Sequence, residues 1–458
     1  MKKRMLSFAL CGIFLLSAML FAACSGDNGS PNSDAGTEIR GESSTDGEVK
    51  VIHLLTDLGH NAMRDHASYD QPNAQYVMDQ FLADMGELPE GYRLEVEVMP
   101  VEEADFQSRL TRLRTEIMSG RGPDIFFLSS ADSAPYYRQE RVFPNTKKAM
   151  EDGFFLPLDN YMETVQFMEF SDMNPVIMDA GCTRDGRFVL PVRYTFNTIK
   201  VLEPVTDTEI GWFDVVNGTD EVMANSYALA TSWMFYTIFE DTVDTESKTL
   251  TFTEDELYNA VAAGLSFFGP WGTDRPMEDI IEVAPVDFST DIYSCWDPEW
   301  KDIATYLPMR NREGGVTATV TSYIAINKNT SYPDEAFYVA DLMMSKKFQS
   351  GQKSWESGYH ASTSSSAVFS YSRGVSVYDD FLQESRPMNY VNYIDDEMWP
   401  KYCELRDKIT NARIMNNIDQ ALYDLYDYAR TKSMTPGDEL KKYVKQEYSK
   451  LVLMAGEL

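Results

Sequence analysis

The stretch Ala104–Asp132, ADFQSRLTRLRTEIMSGRGPDIFFLSSAD, decides how the rest of the chain is read. Phe106, Leu110, Leu113 and Ile117 recur at three- and four-residue spacing, with Arg109, Arg112, Arg114 and Glu116 off that stripe. The spacing predicts an amphipathic helix. Gly120 offers it a left-handed end, and Gly122-Pro123 forbids continuation. Ile125 to Leu128 is an apolar run short enough for a strand buried on both faces. Ser129, Ser130 and Asp132 follow at once, and small polar groups just past the carboxyl end of a parallel strand stand where open α/β sheets bind ligands.

Upstream, Val49 to Leu55 reads as a first strand, followed by a polar loop from Asp57 to Gln75. Val77, Phe81, Leu82 and Met85 then have helical spacing, and Leu94, Val96 and Val98 alternate as in a strand. Strand, helix, strand, helix, strand up to Leu128 is a βαβαβ unit, which implies a parallel sheet.

The helix ending in a small residue, then Ser119-Gly120-Arg121-Gly122-Pro123-Asp124 and an apolar strand, resembles the extracellular solute-binding proteins of ABC importers. Four further segments in the same order carry the resemblance. Phe154-Phe155-Leu156-Pro157-Leu158-Asp159 is similar to a turn of that family, and Gly186 to Val192 to its crossover strand, with Phe188 where a Tyr is usual. Thr317 to Ile326 alternates as a β-branched strand, and with the helix opened at Pro333 and containing Asp334-Glu335-Ala336 it is similar to the family's return segment. Thr435-Pro436-Gly437-Asp438, with Thr as cap and Pro at the first position, opens a last helix.

The resemblance covers Val51 to Leu453 and implies a two-lobed α/β fold of the periplasmic-binding-protein type (type II). Its lobes are discontinuous and joined by hinge strands: residues 49–192 with 307–346, and 193–306 with 347–458 including the C-terminal helices. Within the second lobe, helices are expected near Ser226–Phe239 and at Glu254–Phe267, the latter capped by Thr253, and from Tyr402 to Arg413 and Met415 to Arg430.

At the N-terminus, Lys2, Lys3 and Arg4 precede an uncharged run from Met5 to Phe21, the parts of a secretory signal. Leu20-Phe21-Ala22-Ala23-Cys24 resembles a bacterial lipobox, in which the cysteine is acylated and becomes the new N-terminus. Residues 1–23 are then the signal peptide, and residues 24–48, almost without apolar side chains, a disordered tether. The expected location is the outer face of the cytoplasmic membrane, held there by the lipid on Cys24 alone.

The net charge is −32, and removing Lys2, Lys3 and Arg4 with the signal takes it to −35. A surface so acidic repels phosphate backbones, which argues against nucleic acid as a partner. Cysteines stand at 11, 24, 182, 295 and 403. Once the first two are assigned to the signal and the lipid, the dispersed remainder has no zinc-ligand spacing and allows at most one bridge. No phosphate loop, dinucleotide fingerprint or nucleophile elbow occurs, and no cofactor is expected. Asp57, His60, Asp65 and His66 lie close in sequence but fit no recognised metal-ligand pattern.

The resemblance implies capture of a small solute in an interlobe cleft and delivery to ABC permease subunits, without chemistry on the solute. A carbohydrate is the favoured class, because flat Trp and Tyr faces stack on pyranose rings while Asp, Asn and Arg bond the hydroxyls. The candidate stacking residues are Trp271, Tyr194, Trp233 and Trp296, and the candidate polar contacts are Asp57, Ser130, Asp132 and Asn197. A peptide, polyamine or metal ion as cargo, a surface-anchored hydrolase, and a sensor in place of the importer stay open.

Overall fold

A computed structural model of the chain describes residues 49–58, 74–85, 88–100, 103–130, 141–201, 235–267, 282–285, 305–308, 310–350, 375–378 and 398–457. The chain opens with β1 (Lys50–Thr56), α1 (Ala74–Met85), β2 (Tyr92–Val98), α2 (Glu103–Met118) and β3 (Ile125–Ser129). β1 pairs in parallel with both β2 and β3, so the expected βαβαβ unit is present. The chain steps to one side of β1 and then crosses to the other. α2 buries Phe106, Leu110, Leu113 and Ile117, the stripe read from the sequence. Its last turn closes through Gly120, whose φ of +75° glycine adopts without the steric cost that a Cβ brings. There Gly120 N donates to Ile117 O and Arg121 N to Glu116 O, each at 2.9 Å.

Next come the short helices α3 (Thr146–Glu151), α4 (Asp159–Met162) and α5 (Pro175–Asp179), and the hairpin β4 (Cys182–Thr183) and β5 (Gly186–Arg187). The long strand β6 (Val189–Val201) follows. After a 3-10 turn at Phe235–Ile238 stand β7 (Val243–Asp244), β8 (Thr249–Leu250), α6 (Glu254–Phe267), β9 (Glu282–Pro285) and β10 (Thr305–Pro308). The second long strand is β11 (Val316–Ile326), which leads to α7 (Pro333–Met343), α8 (Lys346–Ser350) and β12 (Val375–Ser376). The chain closes with α9 (Met398–Arg406), β13 (Ile409–Ile414), α10 (Asn417–Thr431) and α11 (Asp438–Gly456).

Among the described residues the main sheet runs β10-β6-β11-β3-β1-β2, with β9 and β12 also on β6 and β13 on β11. β11 is antiparallel to β3 from Ser322↔Ser129 to Ile326↔Ile125, and antiparallel to β6 from Ala318↔Phe196 to Ala325↔Val189. Past the end of β3, β13 takes over the same edge of β11 in parallel, up to Val320↔Ile414. The carboxyl ends of β3 and β13 therefore meet end to end along that edge of β11. The register with β6 shifts there, around Thr321, the mark of a bulge that bends a strand.

Two apolar cores result. The first gathers β1, β3, α1, α2, β6, β11 and α7, and the second gathers residues of Tyr236–Leu265 and Met415–Ala455. Val377, Tyr378, Leu405 and Ile409, from the segment expected in the second lobe, pack into the first core.

Three local expectations change. The helix expected over Tyr402–Arg413 ends at Arg406, and Ile409–Ile414 is a strand instead, because the edge of β11 beyond β3 needs a hydrogen-bonding partner. The last helix begins at Asp438 behind Gly437, whose φ is +154°, and has no side-chain cap, so Thr435 and Pro436 precede it. Of the helix expected near Ser226–Phe239, residues 235–238 form a 3-10 turn, and 226–234 lie outside the described residues. Cys182 and Cys403 form no disulfide among the described residues, and Cys295 lies outside them.

Candidate functional site

The order β11-β3-β1-β2 places the reversal of chain direction across the sheet between β1 and β3. The crevice outside the carboxyl ends of such a strand pair is where open α/β sheets hold ligands. At that point Asp57, just past β1, accepts from Ser129 N at 2.7 Å and from Ser129 Oγ at 2.8 Å. Burial pushes its carboxyl up to about 6, outweighing those two bonds and the nearby charge of Arg141. Thr56 Oγ1 accepts from Leu58 N at 3.0 Å, which turns the chain sharply at the strand end.

Ser130 is held from the other direction. Its N donates to Thr321 O at 3.0 Å and its Oγ to Val320 O. Thr321 itself is buried, and its Oγ1 has no partner among the described residues. Beside it the Tyr323 hydroxyl accepts from Thr146 Oγ1 at 3.2 Å, and burial raises its pKa. The edge between β1, β3 and the bulge of β11 is thus polar and built largely from short side chains.

Further along the crossing strands, contacts reach the second core. Tyr236 and Thr319 share a hydroxyl hydrogen bond of 3.2 Å, and Asn197 Nδ2 donates to Thr237 Oγ1 at 3.0 Å. The Arg413 guanidinium lies 5.0 Å from the centre of the Tyr236 ring and 3.0 Å from Asp419 Oδ1. Burial pushes the Tyr236 hydroxyl up to about 12. Arg141 reaches Gln420 Oε1 at 3.2 Å and Met415 Sδ at 2.9 Å, so a residue flanked by the first core touches the β13–α10 junction.

Of the residues expected from the sequence, the structure brings Asp57 and Ser130 together at the strand ends. Tyr194 stands opposite Val320 on β6, with 1% of its surface exposed and its ring 6.4 Å from that of Phe196. Asn197 is buried against Thr237. Asp132, Trp233, Trp271, Trp296 and Cys24 lie outside the described residues, as do His60, Asp65 and His66. Among the described residues no group of three or more His, Cys, Asp and Glu is placed to hold a metal, and no helix is long and apolar enough to cross a membrane. Thr321, Tyr323, Arg141 and the Arg413–Asp419 pair were not legible in the sequence, because each acquires its place through a strand or loop that pairs far away in the chain.

No protein-family model matches the chain, and no curated protein matches it in sequence. Solved structures do match. The sugar-binding protein MalE from Xanthomonas citri superposes with a TM-score of 0.55 at 9% identity, over 89% of this chain and 98% of that one. The fold is that of the extracellular solute-binding proteins. A family 1 solute-binding protein from Alicyclobacillus acidocaldarius gives 0.52 at 12% identity, over 89% of this chain and 99% of its own. An ABC substrate-binding protein from Listeria monocytogenes, in complex with cycloalternan, gives 0.50 at 11% identity over the same shares. The solute-binding fold is two-lobed, and among the described residues of this chain β6 and β11 both have contacts to the two cores.

Proposed function

We propose that the chain captures a small solute, a carbohydrate in the first instance, at the strand-end edge between its two lobes and delivers it to an ABC importer. The solute is held without being altered. The observation that carries this reading is the meeting of the carboxyl ends of β1 and β3 with the bulge of β11, on strands that bond to both cores. A ligand seated there touches both lobes, and its affinity favours the arrangement in which both contact it.

The carbohydrate class is supported by two similar folds: the sugar-binding protein MalE, and the Listeria protein solved with cycloalternan. Short hydroxyl and carboxylate side chains at the edge suit bonding to sugar hydroxyls, and Asp132, Trp233, Trp271 and Trp296 remain the proposed contacts that complete it. The lobes proposed are 49–192 with 307–346 and 193–306 with 347–458, with Val377, Tyr378, Leu405 and Ile409 packing across into the first core, and anchoring is proposed outside the cytoplasmic membrane through the acylated Cys24.

The test is thermal denaturation of the full chain with mono- and oligosaccharides, peptides, polyamines and divalent metal salts. A sugar at about 100 times its dissociation constant adds about 2.7 kcal/mol and raises the midpoint by about 3 °C. A rise with polyamine or metal alone keeps binding and discards carbohydrate. Turnover of a chromogenic glycoside by the pure protein overturns the reading.

A further inference from the structure

The strands β6 and β11 run between the two cores, and their pairing is bulged around Thr321. Rotation about such a bend keeps the strand pairs and separates contacts made off the strands. One contact of that kind joins Arg141 to α10.

Arg141 stands between the end of β3 and α3, and its backbone belongs with the first core. Arg114 of α2 donates from Nη2 to Arg141 O at 2.7 Å. The next residues, Val142 and Phe143, are buried in that core, with the Phe143 ring 5.2 Å from that of Phe126. The guanidinium ends on the second core instead. Its Nη2 donates to Gln420 Oε1 at 3.2 Å and lies 2.9 Å from Met415 Sδ. Met415 is part of the second core, and Gln420 stands between its members Ile418 and Leu422. The Gln420 amide is oriented for this contact, because its Nε2 donates to Asp424 Oδ1 at 3.1 Å and leaves the oxygen toward Arg141.

The contact is on the strand-end side of the molecule. The Arg141 charge opposes the effect of burial on Asp57 just past β1, on Tyr323 of β11 and on Tyr236 of the second core. One guanidinium thus acts on the edge and on a hydroxyl of each core. A second contact between the cores, Thr245 Oγ1 to Glu151 Oε1 at 3.2 Å, is exposed, and water competes with it. We propose that Arg141 is a positioning residue for solute capture: through Gln420 it latches the two cores together at the strand-end edge, holding the arrangement in which a solute there touches both. Its part in capture rests on the function proposed above, whereas the latch does not.

The test is pulsed electron paramagnetic resonance of the full chain. Spin labels are carried on p-acetylphenylalanine in place of the exposed Arg112 of α2 and Lys445 of α11, so that no cysteine reacts. The distance between them separates latched from opened molecules. Arg141→Met is expected to change the ratio of latched to opened molecules about tenfold toward the opened, as is Gln420→Ala, with the double variant no further shifted than either single one. Gln420→Glu faces the guanidinium with a charge and, after its repulsion from Asp424, is expected to shift the ratio about threefold the other way. That gain should vanish when Arg141→Met is added. Identical distributions in all variants, additive losses, or a gain that survives Arg141→Met overturn the latch. With maltose as probe, Arg141→Met is expected to weaken binding by up to about the same tenfold, through faster dissociation. Unchanged affinity beside a shifted distance overturns the role in capture. Absence of maltose binding in the wild type tells against the carbohydrate reading alone, and the distances still decide the latch.

Discussion

The two cores bury their backbones in different ways. In the first, a sheet consumes the polar groups, and its strand β11 has every one of its eleven residues buried. In the second, α6, α10 and α11 satisfy their own backbones and meet through stripes such as Ile418, Leu422, Leu425 and Ala429. The remaining polarity gathers at the join, where Asp419, 0% exposed, caps α10 through Asn416 N at 2.9 Å, accepts from Thr242 Oγ1 at 2.7 Å and pairs with Arg413. A sheet core positions its strand ends through register, and a helical core depends on the groups that dock it. The candidate site lies at the strand ends, on the side of the rigid register.

Truncation in each core probes the contrast most strongly. Phe126→Ala is expected to cost about 3–5 kcal/mol and Leu422→Ala about 2–5 kcal/mol. Because β6 and β11 contact both cores, urea denaturation of either variant should show one transition with a lowered midpoint. A curve with two transitions, each sensitive to only one variant, would divide the molecule into independent units.

Next in size is the docking pair. Arg413→Leu leaves Asp419 buried without its counter-charge and should cost about 3 kcal/mol, while adding Asp419→Asn should recover part of the loss. A double variant no better than the single one would mean that Asp419 matters as a helix cap rather than as a charge, and its capping bonds would then explain the cost.

At the strand ends the expected effect is pH-dependent. The Asp57 carboxyl titrates in the fold near 6, above its unfolded value of 3.8. The folded state therefore holds more protons between those values, so stability is greatest below about 4 and falls as pH rises through about 6. The full difference is at most about 3 kcal/mol, reduced by the part of the side chain that water still reaches. Urea midpoints from pH 4 to 7, with Asp57→Asn flattening the slope, check it; an equal slope in the variant would place the titration elsewhere.

The smallest effect tests a helix end in the second core. Thr253 Oγ1 accepts from Glu256 N at 3.2 Å while Glu256 Oε2 accepts from Thr253 N at 2.8 Å, so Thr253→Ala should cost about 1 kcal/mol.

Local chemistry was legible wherever pattern and partner lie close in sequence. The stripe of α2, the glycine that ends it and the cap at Thr253 are of this kind. β13 was not, since Ile409–Ile414 follows a helix directly and becomes a strand only because β3 leaves an edge of β11 open. The start of α11 was misread because Thr435 and Pro436 have the right chemistry for a cap, while Gly437 makes the turn. Asp57 and Ser130 were placed at the strand ends by the order of elements alone, but their bonds to Ser129, Val320 and Thr321 span 72 to 191 residues of sequence.

By itself the sequence determined the elements of the parallel βαβαβ opening and the edge at which a ligand belongs, because periodicity and punctuation act within a few residues. Only the tertiary structure decided that β3 and β13 share one edge of β11 and that Ser130 is held by Val320 and Thr321. Those outcomes depend on strands that pair across roughly ninety to two hundred residues, and pairing is settled by the burial of whole faces rather than by any local run of side chains.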